Sequence, residues 1–349
     1  AMAGGKSAGM KEALLYERLD DGRVQCHLCA QGCRIDDGHL GFCRVRRNVG
    51  GTLYSLVYGQ AISQAVDPIE KKPLFHFYPG SQAYSIATPG CNFRCTFCQN
   101  ADISQMPRDS HVIPETNVRP EAVVRAAEHY GCQSIAYTYT EPTIYFEYAY
   151  DISKLAVEAG IANVYVTNGY MTTDMLAMVT APTGPRLMDA ANVDLKAFRD
   201  AFYRRECGAH LQPVLDNLAY MKRHGVWLEV TTLVIPGRND SDDELRDIAR
   251  FIATELGTDT PWHVSRFHPT YRLTDVPPTP VATVRRAREI GLEEGLLYVY
   301  EGNVPIGDGE NTLCPTCGRI VIQRRGFLVA SNDARGGNCR HCGGTIHGV

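Results

Sequence analysis

The chain has 349 residues, 44% of them hydrophobic and 21% charged, a globular balance able to bury a sizeable core and long enough for one α/β barrel. A formal net charge of −4 gives no electrostatic reason to expect nucleic acid or an acidic membrane as partner. No apolar run approaches the ~18–20 residues that span a bilayer.

In chain order, residues 1–20 are expected to be a flexible tail, because AMAGGKSAG is small, lacks an apolar core and does not read as a secretory signal. Residues 21–80 form a module with four cysteines and a β-rich stretch, TLYSLVYGQAISQAV. From residue 83 short apolar runs alternate with helical patterns. Strands are predicted at 83–88, 133–140, 162–168, 191–198, 226–235, 262–268 and 296–302. Helices are predicted at 120–131, 143–160, in MTTDMLAMV, and at 211–225, 241–256 and 279–295, several of them closed by Gly. Apolar strands separated by amphipathic helices mean βαβ units and a parallel sheet. About seven strands fall short of the eight of a full barrel, so the expectation is a partial (β/α)6-type TIM barrel over 81–302. A Gly-rich module with four more cysteines follows at 303–349. Polar residues cluster just after the strands, in GCNFRC, TEP, NGY, DLK, PGRND and FHPTY, where parallel sheets bind ligands.

Eleven of the 13 cysteines fall in three tightly spaced groups, which points to metal rather than to disulfides. Cys132 and Cys207 stand alone and read as small buried hydrophobes. In GCNFRCTFCQN, Cys91, Cys95 and Cys98 occupy eight residues with no histidine and no fourth cysteine nearby. A structural zinc ion wants four closed ligands. Three thiolates suit a four-iron, four-sulfur cube with one iron left for a substrate or cofactor, the alternative being zinc completed by a distant residue.

CNFRCTFC, directly after the first strand of a βα series, resembles the CxxxCxxC signature of radical S-adenosylmethionine (SAM) enzymes. The resemblance implies a [4Fe–4S] cluster on Cys91, Cys95 and Cys98, chelation of SAM by the open iron, and reductive cleavage to methionine and a 5′-deoxyadenosyl radical that abstracts hydrogen from a substrate. The cofactor carries that chemistry, and the protein positions it. TYTEP (138–142) is similar to the superfamily's GGEP-type motif, which assigns Thr140 and Glu141 to SAM, Glu141 on its amino group. Both glycines of that motif are replaced here, by Tyr139 and Thr140. Asn168 and Gly169 in VTNGY suit a ribose or carboxylate contact, or a plain turn. DLK is similar to a DxK element of glycyl-radical-enzyme activases, and strand alternation puts Asp194 and Lys196 on one face. VIPGRND resembles the later strand and turn that pack against adenine. His268, at another strand end, is the catalytic candidate, with substrate entering near it and the Tyr300–Asn303 edge.

Cys314-x-x-Cys317 and Cys339-x-x-Cys342, twenty-one residues apart, read as a zinc ribbon. Cys26, Cys29, Cys33 and Cys43 can close a zinc site or hold an auxiliary iron–sulfur cluster. Zinc is the preferred reading, since four local ligands leave nothing open. The stretches YERLDDGRVQCHLCAQGCRIDDGHLGFCRVRRNVGG, DPIEKKPLFHFYPGS, SIATPGCNFRCTFCQNADISQ and YTYTEPTIYFEYAYD resemble AmmeMemoRadiSam system radical SAM enzymes, themselves similar to pyruvate formate-lyase activating enzymes. That resemblance implies AMMECR1-like and Memo-like partners and an electron donor such as flavodoxin or ferredoxin, with no membrane partner. Two enzyme readings follow, glycyl-radical activation or action on a small molecule or protein residue. A third, a zinc-dependent protein or nucleic-acid binding module, requires zinc and no iron. Reducing-type cysteine usage makes the cytoplasm the expected location.

Overall fold

The computed structural model describes residues 10–180, 184–305 and 307–349; the first nine residues of the predicted tail lie outside them. Two units divide the chain. One comprises Ala1–Val66, Tyr84–Arg94 and Asn100–Met188, the other Asp67–Ala83, Cys95–Gln99 and Asp189–Val349.

In the first unit the alternating pattern becomes β1 (Gln82–Ala87, from Tyr84 onward), α1 (Pro120–His129), β2 (Ser134–Tyr137), α2 (Phe146–Glu158), β3 (Ala162–Thr167) and α3 (Thr173–Val179). Pro120 opens α1, where a missing N–H costs nothing. Strands β2 and β3 pair in parallel from Ser134↔Ala162 to Tyr137↔Tyr165. Every residue of β2 is buried, as expected for a parallel strand covered on both faces. The predicted strand 133–140 stops at Tyr137 because Tyr139 turns to φ 62°, in the left-handed region.

The expected tail is shorter than residues 1–20. Lys11–Glu12 pairs antiparallel with Tyr54 and Ser55, and Tyr16–Arg18 pairs with Val24–Cys26. The reason is local: Ala13 is buried and donates its N–H to Leu53 O at 2.8 Å, and Leu14 N–H reaches Glu147 Oε1 at 3.0 Å. Glu147 in turn forms an ion pair with Arg46, and both side chains are buried.

In the second unit the order is β4 (Ala190–Asp194), α4 (Gln212–Arg223), β5 (Trp227–Val234), α5 (Asp242–Phe251), β6 (Trp262–Arg266), α6 (Val281–Glu293) and β7 (Val299–Gly302). Strands β4 to β7 pair in sequence and in parallel. The chain is thus an α/β fold with a central parallel sheet, as the βαβ pattern requires. Ser241 caps α5, accepting the Glu244 N–H at 3.3 Å. The last residues form an antiparallel sheet of Thr312–Leu313, Ile320–Arg325 and Leu328–Asn332 over a small core of Val321, Ile322, Ala334 and Ile346 with Cys314 and Cys339.

Glu229 on β5 is fully buried and fixes the segment before β1 in this unit. It accepts Phe75 N–H at 2.9 Å, His76 N–H at 2.8 Å, His263 Nε2 at 2.7 Å and Trp227 Nε1 at 3.2 Å. His76 sits between His347 O at 2.7 Å from Nδ1 and Tyr300 Oη at 2.6 Å from Nε2. Among the described residues no helix is long and apolar enough to cross a membrane.

Two predictions follow from these buried groups. Replacing Arg46 by Met strands Glu147 in the interior, and urea unfolding is expected to show a loss of about 3–5 kcal/mol. Burial pushes His76 down from 6.5 to about 4. Its folded pKa lies below its unfolded one, so its contribution is present above pH 6.5 and is lost as pH falls from there through about 4. The loss amounts to about 3 kcal/mol across that window, and His76→Gln should flatten that part of a stability–pH curve.

Candidate active site

In the first unit the polar chemistry gathers at the ends of β1, β2 and β3. Glu141 follows β2 and is 2% exposed. Its Oε1 accepts Thr143 Oγ1 at 2.6 Å, Thr167 Oγ1 at 2.7 Å and Thr143 N–H at 3.1 Å, while Oε2 accepts Asn168 N–H at 2.8 Å. Burial raises the Glu141 carboxyl above its ordinary value, and the Asn168 and threonine donors pull against that rise. Asn168 Nδ2 donates to Asn92 Oδ1 at 2.7 Å and lies 3.9 Å from Cys91 Sγ, which also accepts Phe93 N–H at 3.3 Å. Gly169, at φ 68°, makes the turn that lets Tyr170 N–H return to Asn168 Oδ1 at 3.0 Å. Thr140 Oγ1 donates to Thr88 O at 2.7 Å, tying the TEP turn to the end of β1. Four sequence-selected residues, Cys91, Glu141, Asn168 and Gly169, therefore belong to one hydrogen-bonded patch, and Thr140 adjoins it through the chain.

The Tyr139–Thr140 departure from glycine leaves the backbone in a glycine-like conformation. Tyr139 has φ 62°, and its carbonyl is held by Asn100 Nδ2 at 2.8 Å.

In the second unit Asp194 and Lys196 share a face, as alternation predicts, and are paired at 2.9 Å. Burial alone would lower the Lys196 ammonium; Asp194 and the Cys95 and Cys207 sulfurs outweigh it and leave it raised. Its Nζ lies 5.8 Å from the Phe97 ring centre. Cys95 is buried, and a hydrogen bond with Cys207 draws its thiol below the ordinary range. A π-helical turn, Tyr203–Cys207, brings Cys207 there. The same turn supplies Glu206, which accepts Thr96 Oγ1 at 2.6 Å through its side chain and Thr96 N–H at 2.9 Å through its carbonyl. Cys207 is buried, as expected, and no sequence signal marks the turn that sets it beside Cys95. Cys132 is buried as expected.

His268 is exposed just beyond β6. Tyr300 does not edge an opening: it is 2% exposed, bonded to His76 and Thr312, and stacked on His263 with ring centres 5.2 Å apart. Asn303 is exposed and donates to Ser265 Oγ at 3.0 Å.

The C-terminal four, Cys314, Cys317, Cys339 and Cys342, have sulfurs all within 4.8 Å of one another. Cys314 and Cys342 stand 3.6 Å apart and Cys317 and Cys339 3.9 Å. His341 and Gly344 N–H groups point at the Cys339 and Cys342 sulfurs from 3.4 Å. The N-terminal four, Cys26, Cys29, Cys33 and Cys43, line one pocket.

The sequence profile of the Radical SAM superfamily matches residues 85–252. An uncharacterized protein of Methanocaldococcus jannaschii is 49% identical over 339 residues, covering 97% of this chain and 99% of that protein. Another protein of that organism, named a putative glycyl-radical enzyme activating enzyme, is 25% identical over 54% of this chain and 68% of its own. Streptococcus suis SuiB bound to S-adenosylmethionine is similar in fold alone, at 14% identity and TM-score 0.50 over 68% of this chain and 54% of that chain. The profile begins on β1 and takes in the cysteine loop, Glu141, Asn168, Asp194 and Lys196. The chain belongs to the Radical SAM superfamily and is an enzyme, not a binding module built on zinc alone.

Proposed function

We propose that Cys91, Cys95 and Cys98 hold a [4Fe–4S] cluster, that the chain binds SAM beside it, and that the substrate is a small molecule or a protein residue. The fold around it is a partial (β/α)6-type barrel over 81–302, flanked by cysteine-rich modules at 21–80 and 303–349. The observation that carries this reading is the buried Glu141 carboxylate bonded, through Asn168, to the Asn92–Cys91 segment. The donor set fits the group: three cysteine sulfurs from one short loop are the ligand type such a cluster takes. When bound, the cluster supplies the electron for reductive cleavage of SAM to a 5′-deoxyadenosyl radical.

The chain's own residues do the positioning. Glu141 keeps acceptor capacity on Oε2 for an ammonium, whose charge offsets the burial of the carboxylate. Asn168 and Gly169 shape the adjoining turn, and Thr140 fixes it to β1. The Asp194–Lys196 pair places one cation and one anion near Cys95 in its own unit. We assign the C-terminal four thiolates to one structural zinc ion, a closed set at single-ion spacing. His268 remains our candidate for substrate contact. A flavodoxin- or ferredoxin-type donor and AMMECR1-like and Memo-like partners complete the proposal. We place the enzyme in the cytoplasm, where cysteines stay reduced.

A second reading, activation of a glycyl-radical enzyme, is favoured by one observation: a relative of 25% identity carries that name. A candidate glycyl-radical enzyme encoded beside this chain, gaining a glycyl radical when mixed with it and SAM, selects this reading.

The test is anaerobic reconstitution, dithionite and SAM, with 5′-deoxyadenosine as product. Cys95→Ala should abolish deoxyadenosine formation and leave zinc bound; product retained in that variant sinks the assignment. Glu141→Gln should weaken SAM binding by roughly 10- to 100-fold, the worth of a charge-assisted hydrogen bond, as read by equilibrium dialysis. Unchanged affinity would remove Glu141 from the SAM site.

A further inference from the structure

The two outer cysteine groups, alike in the number of thiols, differ in geometry. Four thiolates on one zinc ion, with bonds of about 2.3 Å, stand within about 4 Å of one another. The C-terminal four approach that spacing, with two pairs at 3.6 and 3.9 Å and all sulfurs within 4.8 Å. Among the described residues the N-terminal four are not gathered in this way. Instead Cys26, Cys29, Cys33 and Cys43 line one pocket together with Leu28, Ile35, Phe42 and Ile144. Thiolates at the corners of a cube are held apart by the inorganic core between them, whereas thiolates on one ion converge.

The walls carry a second, independent sign. Arg46 also lines the pocket and is 1% exposed. Its Nη1 points at Cys26 Sγ from 3.9 Å, and its Nε has no hydrogen-bond partner. Phe42 N–H donates to Cys33 Sγ at 3.3 Å. A buried cation and a backbone donor aimed at sulfur suit an anionic thiolate cluster, whose charge and potential respond to such contacts. Glu147, paired with Arg46, holds the guanidinium in place.

The geometry points to a second [4Fe–4S] cluster, ligated by Cys26, Cys29, Cys33 and Cys43, in place of the zinc that spacing alone favours. All four of its irons are held by protein thiolates, so it has no open corner for SAM. Gln31, beside Cys29 and Cys33 in sequence, donates to Asn92 O at 3.0 Å, which sets this module against the Cys91 segment within the first unit.

The deciding protein is the full chain with Cys91→Ala, Cys95→Ala and Cys98→Ala together, reconstituted anaerobically with iron and sulfide. About four irons, about four sulfides and about one zinc per chain are expected. Adding Cys29→Ser and Cys33→Ser should remove the iron and sulfide and leave the zinc. As a check on folding, Cys29→Ser with Cys33→Ser in the otherwise unaltered chain should lower iron from about eight to about four per chain. A second zinc with no iron in the triple variant, or no metal there beyond one zinc while circular dichroism is unchanged, overturns the proposal. If the Cys91 loop held no cluster, the triple substitution would leave the iron count unchanged. Failure of that assignment and failure of this one are therefore separately visible.

Discussion

An ionised carboxylate taken out of water costs several kcal/mol unless its lone pairs are filled, and the architecture of this chain follows from meeting that demand. Glu141 is satisfied by Thr143, Thr167 and Asn168, which locks the ends of β2 and β3 together. Glu229 is satisfied by Phe75, His76, Trp227 and His263, which draws a loop from before β1 onto β5 and β6. Burial raises the Glu229 carboxyl, yet the His263 bond and the other donors leave it below its ordinary value. Glu147 holds Arg46 and the N-terminal strand segment. Apolar burial supplies most of the driving force for folding, but these acids decide which loops lie where.

The acids divide by task. Glu229 has protein donors at every turn and sits among Phe75, Tyr300 and His263, a wholly structural setting. Glu141 sits instead where polar strand ends gather, next to the cysteine segment. The same chemistry therefore serves a frame in one place and a site in the other. What separates the two is the surrounding surface, aromatic for Glu229 and threonine, asparagine and thiol for Glu141.

The fold was legible wherever local pattern sufficed. Strands such as SIAY and AANVD are apolar runs, and the Ser241 cap and Pro120 start are written within a few residues. Glu141, Asn168 and the Asp194–Lys196 pair were legible because each lies at or shortly after a strand end. The rest depends on distance along the chain. Phe75 and His76 meet Glu229 across more than 150 positions, and Arg46 meets Glu147 across 101. Cys207 reaches Cys95 through a π-helical turn that no periodicity announces. Tyr300 lies within the last strand, and its ring turns inward to His76, so nearness to a strand end alone misplaced it. Cysteine spacing revealed the existence of the three groups, but only sulfur positions distinguish one ion from a larger core.

Tyr139 has a consequence for how the site recognises charge. A non-glycine residue in the left-handed region costs roughly 1–2 kcal/mol, and here it is retained by Asn100 and by the short return of Thr140 N–H to Thr138 O at 2.8 Å. The carboxylate two residues later is thus aimed by the main chain as well as by its hydrogen bonds. Its side chain is held by four hydrogen bonds and has little water to shed. A cation arriving there meets a receptor whose entropy was already surrendered during folding, so selectivity rests on fit rather than on rearrangement.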